Sequence, residues 1–285
     1  AAYKAVEIAS TLTQQGALVD VILSDGGSHF VTPLTFRSVT GRPAFTNDSL
    51  WTNENHVPHI TLGHNADLIC VEPASANAMA DIAAGRGDTL LPLTILTADC
   101  PILIAPAMDG HMYQNVATQA NVKTLIDRGA VFVGPEIGRF ASGMSGLGRF
   151  SEPAKIVGAI RYQLSRTGDL AGKTVVISAG GTREPVDPVR FLSNRSSGKQ
   201  GYALAQSALD RGANVILITA AEGLKEPYGA NVIRVNTAQE MLDTVLATIP
   251  GADALIMCAA VADYRPASVA DQKIKKTGGS LTLEL

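Results

Sequence analysis

Apolar side chains recur at helical spacing between residues 2 and 14, and the pattern predicts a helix there. Gln15-Gly16-Ala17 interrupts it. Leu18 to Leu23 then reads as a buried strand ending at Ser24-Asp25-Gly26. An apolar strand running into a polar loop recurs along the chain. Ala66 to Val71 leads into Glu72-Pro73-Ala74-Ser75-Ala76-Asn77, and Pro101 to Ala105 leads into Pro106-Ala107-Met108-Asp109. Val131 to Val133 is a last short strand before a helix over 152–165, whose Glu152-Pro153 start suits a first turn. This rhythm predicts an α/β architecture with a mostly parallel sheet and sites at the strand C-terminal ends.

Arg166-Thr167-Gly168-Asp169 reads as a linker, which puts a domain boundary near residue 167. The rhythm then resumes. Val175 to Ile177, Ala213 to Ile218, Val232 to Val235 and Asp253 to Cys258 read as strands, with a helix opening at Ser196-Ser197-Gly198-Lys199. A second helix spans Thr237 to Ile249, with Thr237 as N-cap and Glu240 at the capping-box position. Leu281 to Leu285 has the alternation of a further strand. The chain opens inside a helical pattern with no starting Met or preceding strand and stops in this one, so both ends read as cut.

Composition narrows the function classes. The 285 residues suffice for two domains, and 46% hydrophobic with 17% charged residues is a globular balance. A net charge of −3 argues against nucleic acid as the main partner. No apolar run is long enough to cross a membrane and no signal peptide is present, which points to a cytoplasmic protein. Cys70, Cys100 and Cys258 lie in apolar runs without metal-type spacing and read as buried reduced thiols. No metal ligand set is evident.

The densest chemistry lies in Val175 to Gly201, VVISAGGTREPVDPVRFLSNRSSGKQG. Gly180 and Gly181 follow a strand, a polar loop comes next, and a helix begins near Lys199. Backbone N–H groups at such a helix start favour an anion, and Arg183, Arg190, Arg195 and Lys199 add positive charge. An ordinary strand-to-helix loop with solvated charges is the plainer alternative. The stretch is neither a G-x-G-x-x-G turn nor a Walker A loop. Absence of the former after a strand weakens a third reading, a nicotinamide-dependent reductase of two doubly wound domains.

AGGTREPVDPVRFLSNRSSGKQG resembles the signature of phosphopantothenate–cysteine ligase, the second half of bifunctional coenzyme A biosynthesis proteins. Ala259-Ala260-Val261-Ala262-Asp263-Tyr264-Arg265-Pro266 with Lys273-Ile274-Lys275-Lys276 resembles its CTP site. By itself that lysine cluster could be a solvated face. The first half resembles the flavin-dependent cysteine decarboxylases in PASANAMADIAAG, in PAMDGHMY, in the His59 segment Val57 to Leu62, and in the flavin-side segment Phe30 to Phe36. Ser24, Ser75 and Asn77, read alone, are helix caps.

The resemblance implies two doubly wound Rossmann-like domains. Residues 1–166 would be a flavodoxin-like FMN-binding decarboxylase without its first strand, and 167–285 a CTP-dependent ligase without its C-terminal part. Ser24, Thr32, Ser75, Ala76, Asn77 and Ala107 would contact FMN. His59 would serve oxidation of the cysteinyl thiol, after which a thioaldehyde loses CO2 and the ene-thiolate is reduced and protonated. Asp109 would hold the substrate carboxylate beside Met112, and Ser142 stands where the proton-donating Cys is expected. In the second half Gly180, Gly181, Met257, Cys258, Ala259 and Asp263 would bind CTP, with Lys273 on the triphosphate. Asn194, Arg190 and Ser197 would contact 4′-phosphopantothenate, with Asn194 acting on the acyl-cytidylate. Cysteine and Mg²⁺ complete the expected set, and both halves would take part in a homo-oligomer.

Two residues depart from the family pattern. Asp109 replaces an Asn, and its carboxylate would repel a substrate carboxylate unless one is protonated or a cation intervenes. Ser142 replaces a thiol of pKa about 8.5 by a far weaker acid. A non-catalytic FMN-binding module is therefore the alternative for the first half.

Overall fold

Parallel strands followed by helices organise the computed structural model, which describes residues 1–52, 57–139, 143, 145–276 and 278–285. It divides into two units, Ala1–Leu164 and Ser165–Leu285.

The first unit begins with α1 (Ala2–Gln14), β1 (Val21–Ile22), α2 (Asp25–Ser28), α3 (Pro33–Thr40), β2 (Ala44–Phe45), α4 (Ser49–Thr52) and α5 (Pro58–His64). β1 and β2 pair in parallel. Ala5 and Ala9 of α1 pack with Leu23, Val31 and Phe36 beneath them. Next come β3 (Ile69–Ala74), α6 (Ala76–Ala83), α7 (Leu90–Leu96), β4 (Ile102–Pro106), α8 (Gly110–Gln114), α9 (Val116–Asp127) and β5 (Val131–Phe132). These strands form a parallel sheet in the order β3-β4-β5. Val71 and Ile104 bury one face of it against Met79 and Ile82 of α6 and Val122 and Leu125 of α9. An antiparallel pair, β6 (Glu136–Arg139) and β7 (Ser145–Arg149), precedes α10 (Pro153–Ser165). The expected single sheet is thus two parallel groups.

The second unit holds β8 (Thr174–Ala179), β9 (Arg183–Pro185), β10 (Phe191–Ser193), α11 (Lys199–Asp210), β11 (Asn214–Thr219), β12 (Asn231–Arg234), α12 (Ala238–Thr248) and β13 (Ala254–Met257). Its parallel sheet runs β12-β11-β8-β13, and β9 and β10 form a separate hairpin. Met241 and Val245 of α12 pack on Val176 and Ile218. Strand residues alternate between faces, so Val175, Ile177 and Leu217, also buried, point to the other side. α11 packs against β8 and β11 as well. Thr237 caps α12 by accepting from Glu240 N at 3.2 Å. The Glu240 carboxylate reaches Asn236 N at 2.7 Å, one residue further back than a capping box requires.

Two readings of the sequence change. Arg166 to Asp169 is not a free linker. Asp169 pairs with Arg211, Leu170 N donates to Arg211 O at 2.8 Å, and Gly168 lies too close to Arg211 O for any side chain. Leu281 to Leu285 is not a strand. It has the alternation but no ladder, and Ala267 N to Glu284 O at 2.8 Å is its one cross-chain backbone bond among the described residues.

β3 carries an unusual buried acid. Ile69 and Val71 face the core of α6 and α9. Cys70 and Glu72 point the other way, and the thiol hydrogen-bonds to the carboxyl. Glu72 Oε2 is buried with no partner. The β3–β4 register shifts between Val71 and Ala74, so Glu72 sits in an irregularity that leaves it outside the ladder. Burial pushes its carboxyl up to about 8, against the hydrogen bond from Cys70 that opposes the rise. Burial, the charge of Glu72 and the bond to Glu72 push the Cys70 thiol well up in turn.

Unfolded, this carboxyl titrates near about 4.3. Between that value and the folded value of about 8, the folded chain holds the extra proton, so stability falls as pH rises through the window and levels off above it. The full cost is roughly 3–5 kcal/mol. Glu72→Gln is expected to match the parent near pH 4.5 and to exceed it by that order at pH 9. Urea unfolding of the first unit at several pH values checks this. An unchanged pH slope in the variant would show that Glu72 is not the group responsible.

Candidate functional site

In the first unit the candidate residues follow the C-terminal ends of strands, where α/β sheets bind ligands. Ser24, after β1, caps α2 by accepting from Gly27 N at 3.1 Å. Ser75, after β3, caps α6 by accepting from Ala78 N at 3.1 Å. Asn77 donates to Asp81 along α6 at 2.8 Å. Asp109, after β4, caps α8 by accepting from His111 N at 2.9 Å. Thr32 precedes α3, and its hydroxyl lies 3.1 Å from that of Thr35. The cap readings thus hold for Ser24 and Ser75 but not for Asn77, which lies inside α6, and Asp109 is a cap that the sequence did not single out as one. A cap leaves the other N–H groups of a helix start available to a ligand.

Backbone bonds assemble these ends. Ala107 N donates to Ala74 O at 3.0 Å, and Met108 N donates to Gly148 O at 3.0 Å. The first ties the loop after β4 to β3 beside Ser75-Ala76. The second ties it to β7. Gly148 has φ 156, and a Cβ there would lie 2.3 Å from Met108 O, so no other residue permits this approach. Met112 is half exposed on α8. Ser142 lies outside the described residues.

His59 sits on α5, fixed against α7. Thr97 Oγ1 donates to His59 O at 2.9 Å, and Gly63 lets the two segments touch, since a Cβ would fall 2.1 Å from Thr97 Oγ1. His59 Nδ1 is buried and has no partner. Asn47 went unnoticed in the sequence, yet it bridges the region. Its amide donates to Asp25 at 2.9 Å and its carbonyl accepts from Leu90 N, also at 2.9 Å, which joins the start of α2 to the start of α7. Only its place in a polar turn could have signalled this.

In the second unit two strand-end loops are laced together. Ser178, fully buried, accepts from Cys258 N at 3.0 Å and Ala259 N at 3.1 Å. Ala260 N donates to Gly180 O at 2.8 Å, and Ala262 N donates to Thr182 Oγ1 at 2.9 Å. Asn194 Nδ2 donates to Val261 O at 3.0 Å. These bonds bring Gly180, Gly181, Asn194, Cys258 and Ala259 to one place. Gly180 has φ 84 and Gly198 φ 73, and a Cβ on either would lie 2.5 Å from Ala221. The start of α11 therefore meets the ends of β8 and β11 in close backbone contact, with Gly180, Gly181 and Gly198 buried. A cavity of about 460 Å³ opens beside this lacing, lined by Glu184, Leu242, Met257, Asp263 and Tyr264 among others.

The cations divide. Arg183 pairs with Glu222 and lies 5.3 Å from the Phe191 ring. Arg190 pairs with Asp187 at 3.0 Å. Arg195 and Lys199 remain exposed at the start of α11, beside Ser197, whose hydroxyl accepts from Lys199 N at 3.4 Å. Lys273 is exposed in an irregular segment, and among the described residues its side chain makes no hydrogen bond or ion pair to Asp263 or the glycines. Ser178, Thr182, Glu184 and Asp187 are among the buried polar groups that the sequence did not single out. Among the described residues no group of three His, Cys, Asp or Glu side chains could hold a metal ion, and no helix is long and apolar enough to cross a membrane.

Known proteins resemble both units. The family model described as Flavoprotein matches residues 1–165, and that of the DNA/pantothenate metabolism flavoprotein C-terminal domain matches residues 170–285. The chain is 46% identical over 282 residues to the coenzyme A biosynthesis bifunctional protein CoaBC of Vibrio vulnificus, covering 98% of this chain and 70% of that protein. It is 47% identical over 291 residues to the Mycobacterium tuberculosis protein of the same name, covering 100% of this chain and 69% of that protein. A solved PPC decarboxylase mutant complexed with pantothenoylaminoethenethiol aligns with a TM-score of 0.51 and 28% identity over 56% of this chain and 90% of its own. The FMN binding protein AtHal3 aligns with a TM-score of 0.50 and 28% identity over 56% of this chain and 89% of its own. The first unit thus has the α/β flavodoxin-like flavoprotein fold. With two adjoining family models matched and close to half of all positions shared along nearly its whole length, the chain belongs to the family of coenzyme A biosynthesis bifunctional proteins.

Proposed function

We propose that the protein acts in coenzyme A biosynthesis through two sites. The first unit decarboxylates 4′-phospho-N-pantothenoylcysteine to 4′-phosphopantetheine with FMN. The second, a Rossmann-like ligase domain, serves the CTP-dependent joining of cysteine to 4′-phosphopantothenate. Domain limits of 1–166 and 167–285 suit this division. Relatives of the same name over nearly the whole chain are the observation that carries the reading.

The first unit suits a flavin. His59 Nδ1 is a buried nitrogen without a partner, as expected where a ligand completes a site. Phe30 and Leu34, flanking Thr32, are large apolar side chains left exposed, ready for a flat aromatic ring. Ser24, Thr32, Ser75, Ala76, Asn77 and Ala107 would hold the cofactor, which supplies two-electron redox chemistry when bound. His59 would take the proton from the substrate thiol, since a neutral imidazole is a base near pH 7. Asp109 would face the substrate carboxylate beside Met112, with a shared proton or a cation relieving their repulsion. Ser142 would occupy the proton donor's place.

In the second unit the carboxylate of 4′-phosphopantothenate would attack the α-phosphorus of CTP, releasing pyrophosphate. The cysteine amine would then displace CMP from the acyl-cytidylate. Gly180, Gly181, Met257, Cys258, Ala259 and Asp263 would bind the nucleotide, and Lys273 the triphosphate. Asn194, Arg190 and Ser197 would position the acyl group. Such chemistry rests on positioning and charge neutralisation. Mg²⁺ would arrive with the triphosphate rather than in a cage of side chains. The protein would work in the cytoplasm as a homo-oligomer through both units.

A second reading, an FMN-binding module without decarboxylation, draws on Asp109 and Ser142. Three measurements bear on these readings. The purified protein is expected to carry a yellow pigment that visible absorption and mass identify as FMN. A colourless protein that also refuses added FMN would overturn the flavoprotein reading. Joint Ser142→Cys and Asp109→Asn substitution is expected to raise decarboxylation about 10²-fold or more, the usual worth of a placed proton donor. Bound FMN with no gain would favour the binding module. Lys273→Ala is expected to cut CTP-dependent pyrophosphate release by about 10²-fold, leaving decarboxylation unchanged. Parallel loss of both activities would contradict two separate sites.

A further inference from the structure

The Lys273 segment has no regular secondary structure of its own, yet it is anchored at defined points. Ala270 N donates to Val186 O at 3.1 Å, just after β9. One residue on, Asp187 presents a side chain with 0% exposure, and both of its oxygens are used. Oδ1 accepts from Val189 N and Arg190 N, each at 2.8 Å, which closes the turn between β9 and β10. Oδ2 accepts from Arg190 Nη1 at 3.0 Å and from Ile274 N at 3.1 Å. The same Arg190 nitrogen donates to Ile274 O at 3.2 Å. The peptide unit of residue 274 is thus gripped at both ends by one ion pair, with Lys273 on one side and Lys275 and Lys276 on the other, all exposed.

A solvated lysine face needs no such anchor. Three neighbouring cations repel one another, and a free segment would spread them into solvent at small cost. Burial would by itself raise the Asp187 carboxyl, but the N–H groups of Val189, Ile274 and Arg190 and the Arg190 charge hold it below the usual range. The anchor therefore stays ionised through the neutral range, and its charge is spent on the turn and the segment.

We propose that Asp187 is a positioning residue that docks the segment of Lys273 onto the β9–β10 turn and so sets those lysines for a triphosphate. Asp187 touches neither nucleotide nor reacting atoms. It acts through Ile274 and Arg190. The docking stands on the hydrogen bonds alone, whereas its purpose rests on the cytidylylation reading above.

Asp187→Asn is the sharpest variant. With its carbonyl oxygen on the turn, its amide cannot accept from Ile274 N or Arg190, so the turn survives and the tether is lost. Ile274→Pro removes the same bond from the other side and leaves Asp187 intact. Two readouts follow in the otherwise unaltered protein: limited trypsin digestion mapped by mass, and titration with magnesium CTP. Both variants are expected to show cleavage after Lys275 or Lys276 about tenfold faster, and Asp187→Asn also after Lys273, which Ile274→Pro protects because trypsin does not cut a Lys–Pro bond; cleavage after Lys199 and Arg211 should be unchanged. Their affinity for CTP should fall about 10- to 100-fold, the range for a lost hydrogen bond to a charged group. Faster cleavage at every site would mean general unfolding and would remove the positioning role. Cleavage at the parent rate would overturn the docking itself. Local cleavage with unchanged CTP affinity would overturn its purpose. A parent protein that binds no CTP would instead overturn the cytidylylation reading, and the digestion would still judge the dock.

Discussion

Ser178 bears more of the second unit's organisation than any charged residue. Parallel strands end in loops whose backbone N–H groups have lost their ladder partners, and a buried unpaired N–H costs about 1–3 kcal/mol. Ser178 ends that debt for Cys258 and Ala259 with one hydroxyl. Thr182 does the same for Ala262. The hydroxyls lie on β8 and the loop after it and the N–H groups on the loop after β13, so that loop cannot move without losing its partners. The alignment of Gly180, Asn194 and the residues after β13 follows from this exchange. The nucleotidyl transfer proposed for the unit would need that alignment first, because charge neutralisation is effective only at fixed distances.

The first unit solves the same problem differently. Its strand ends are satisfied by short side chains on the following helix, Ser24, Ser75 and Asp109, and the loops are joined through backbone bonds. The serine caps are legible in sequence because a small polar residue before a helical pattern has few other uses. The backbone joins are not. Ala107 and Met108 carry no side-chain signal for bonds that run through N–H and C=O. Gly148 hints at one, since glycine tolerates a close approach, but the sequence does not say what approaches.

The same distinction separates what pattern reading found from what it missed. Periodicity located the helices of residues 2–14 and 152–165 and the strands of the β3-β4-β5 and β12-β11-β8-β13 sheets, because burial of one face imposes spacing. Leu281 to Leu285 has that spacing without a partner edge, and no periodicity reports a partner. Arg166 to Asp169 has linker composition but is pinned by Arg211, a residue some forty positions away. Asn47 and Asp187 were invisible for one shared reason. Each is polar, each looks like a surface residue, and each is used through contacts distant in sequence.

Positive charge shows why composition alone misleads about sites. Four cations in residues 175–201 suggest a single anion pocket. Two of them, Arg183 and Arg190, are already paired with Glu222 and Asp187. Arg190 is the instructive case. Paired with a side chain that has no exposure, its guanidinium can reach outward only in the direction the pair permits, and one of its nitrogens is already directed at Ile274 O. A planar fork held on one edge presents its other donors at a fixed angle. Pairing therefore orients Arg190 as well as neutralising it. The anion attraction proposed for the opening of α11 would fall instead to Arg195, Lys199 and the N–H groups of the helix start.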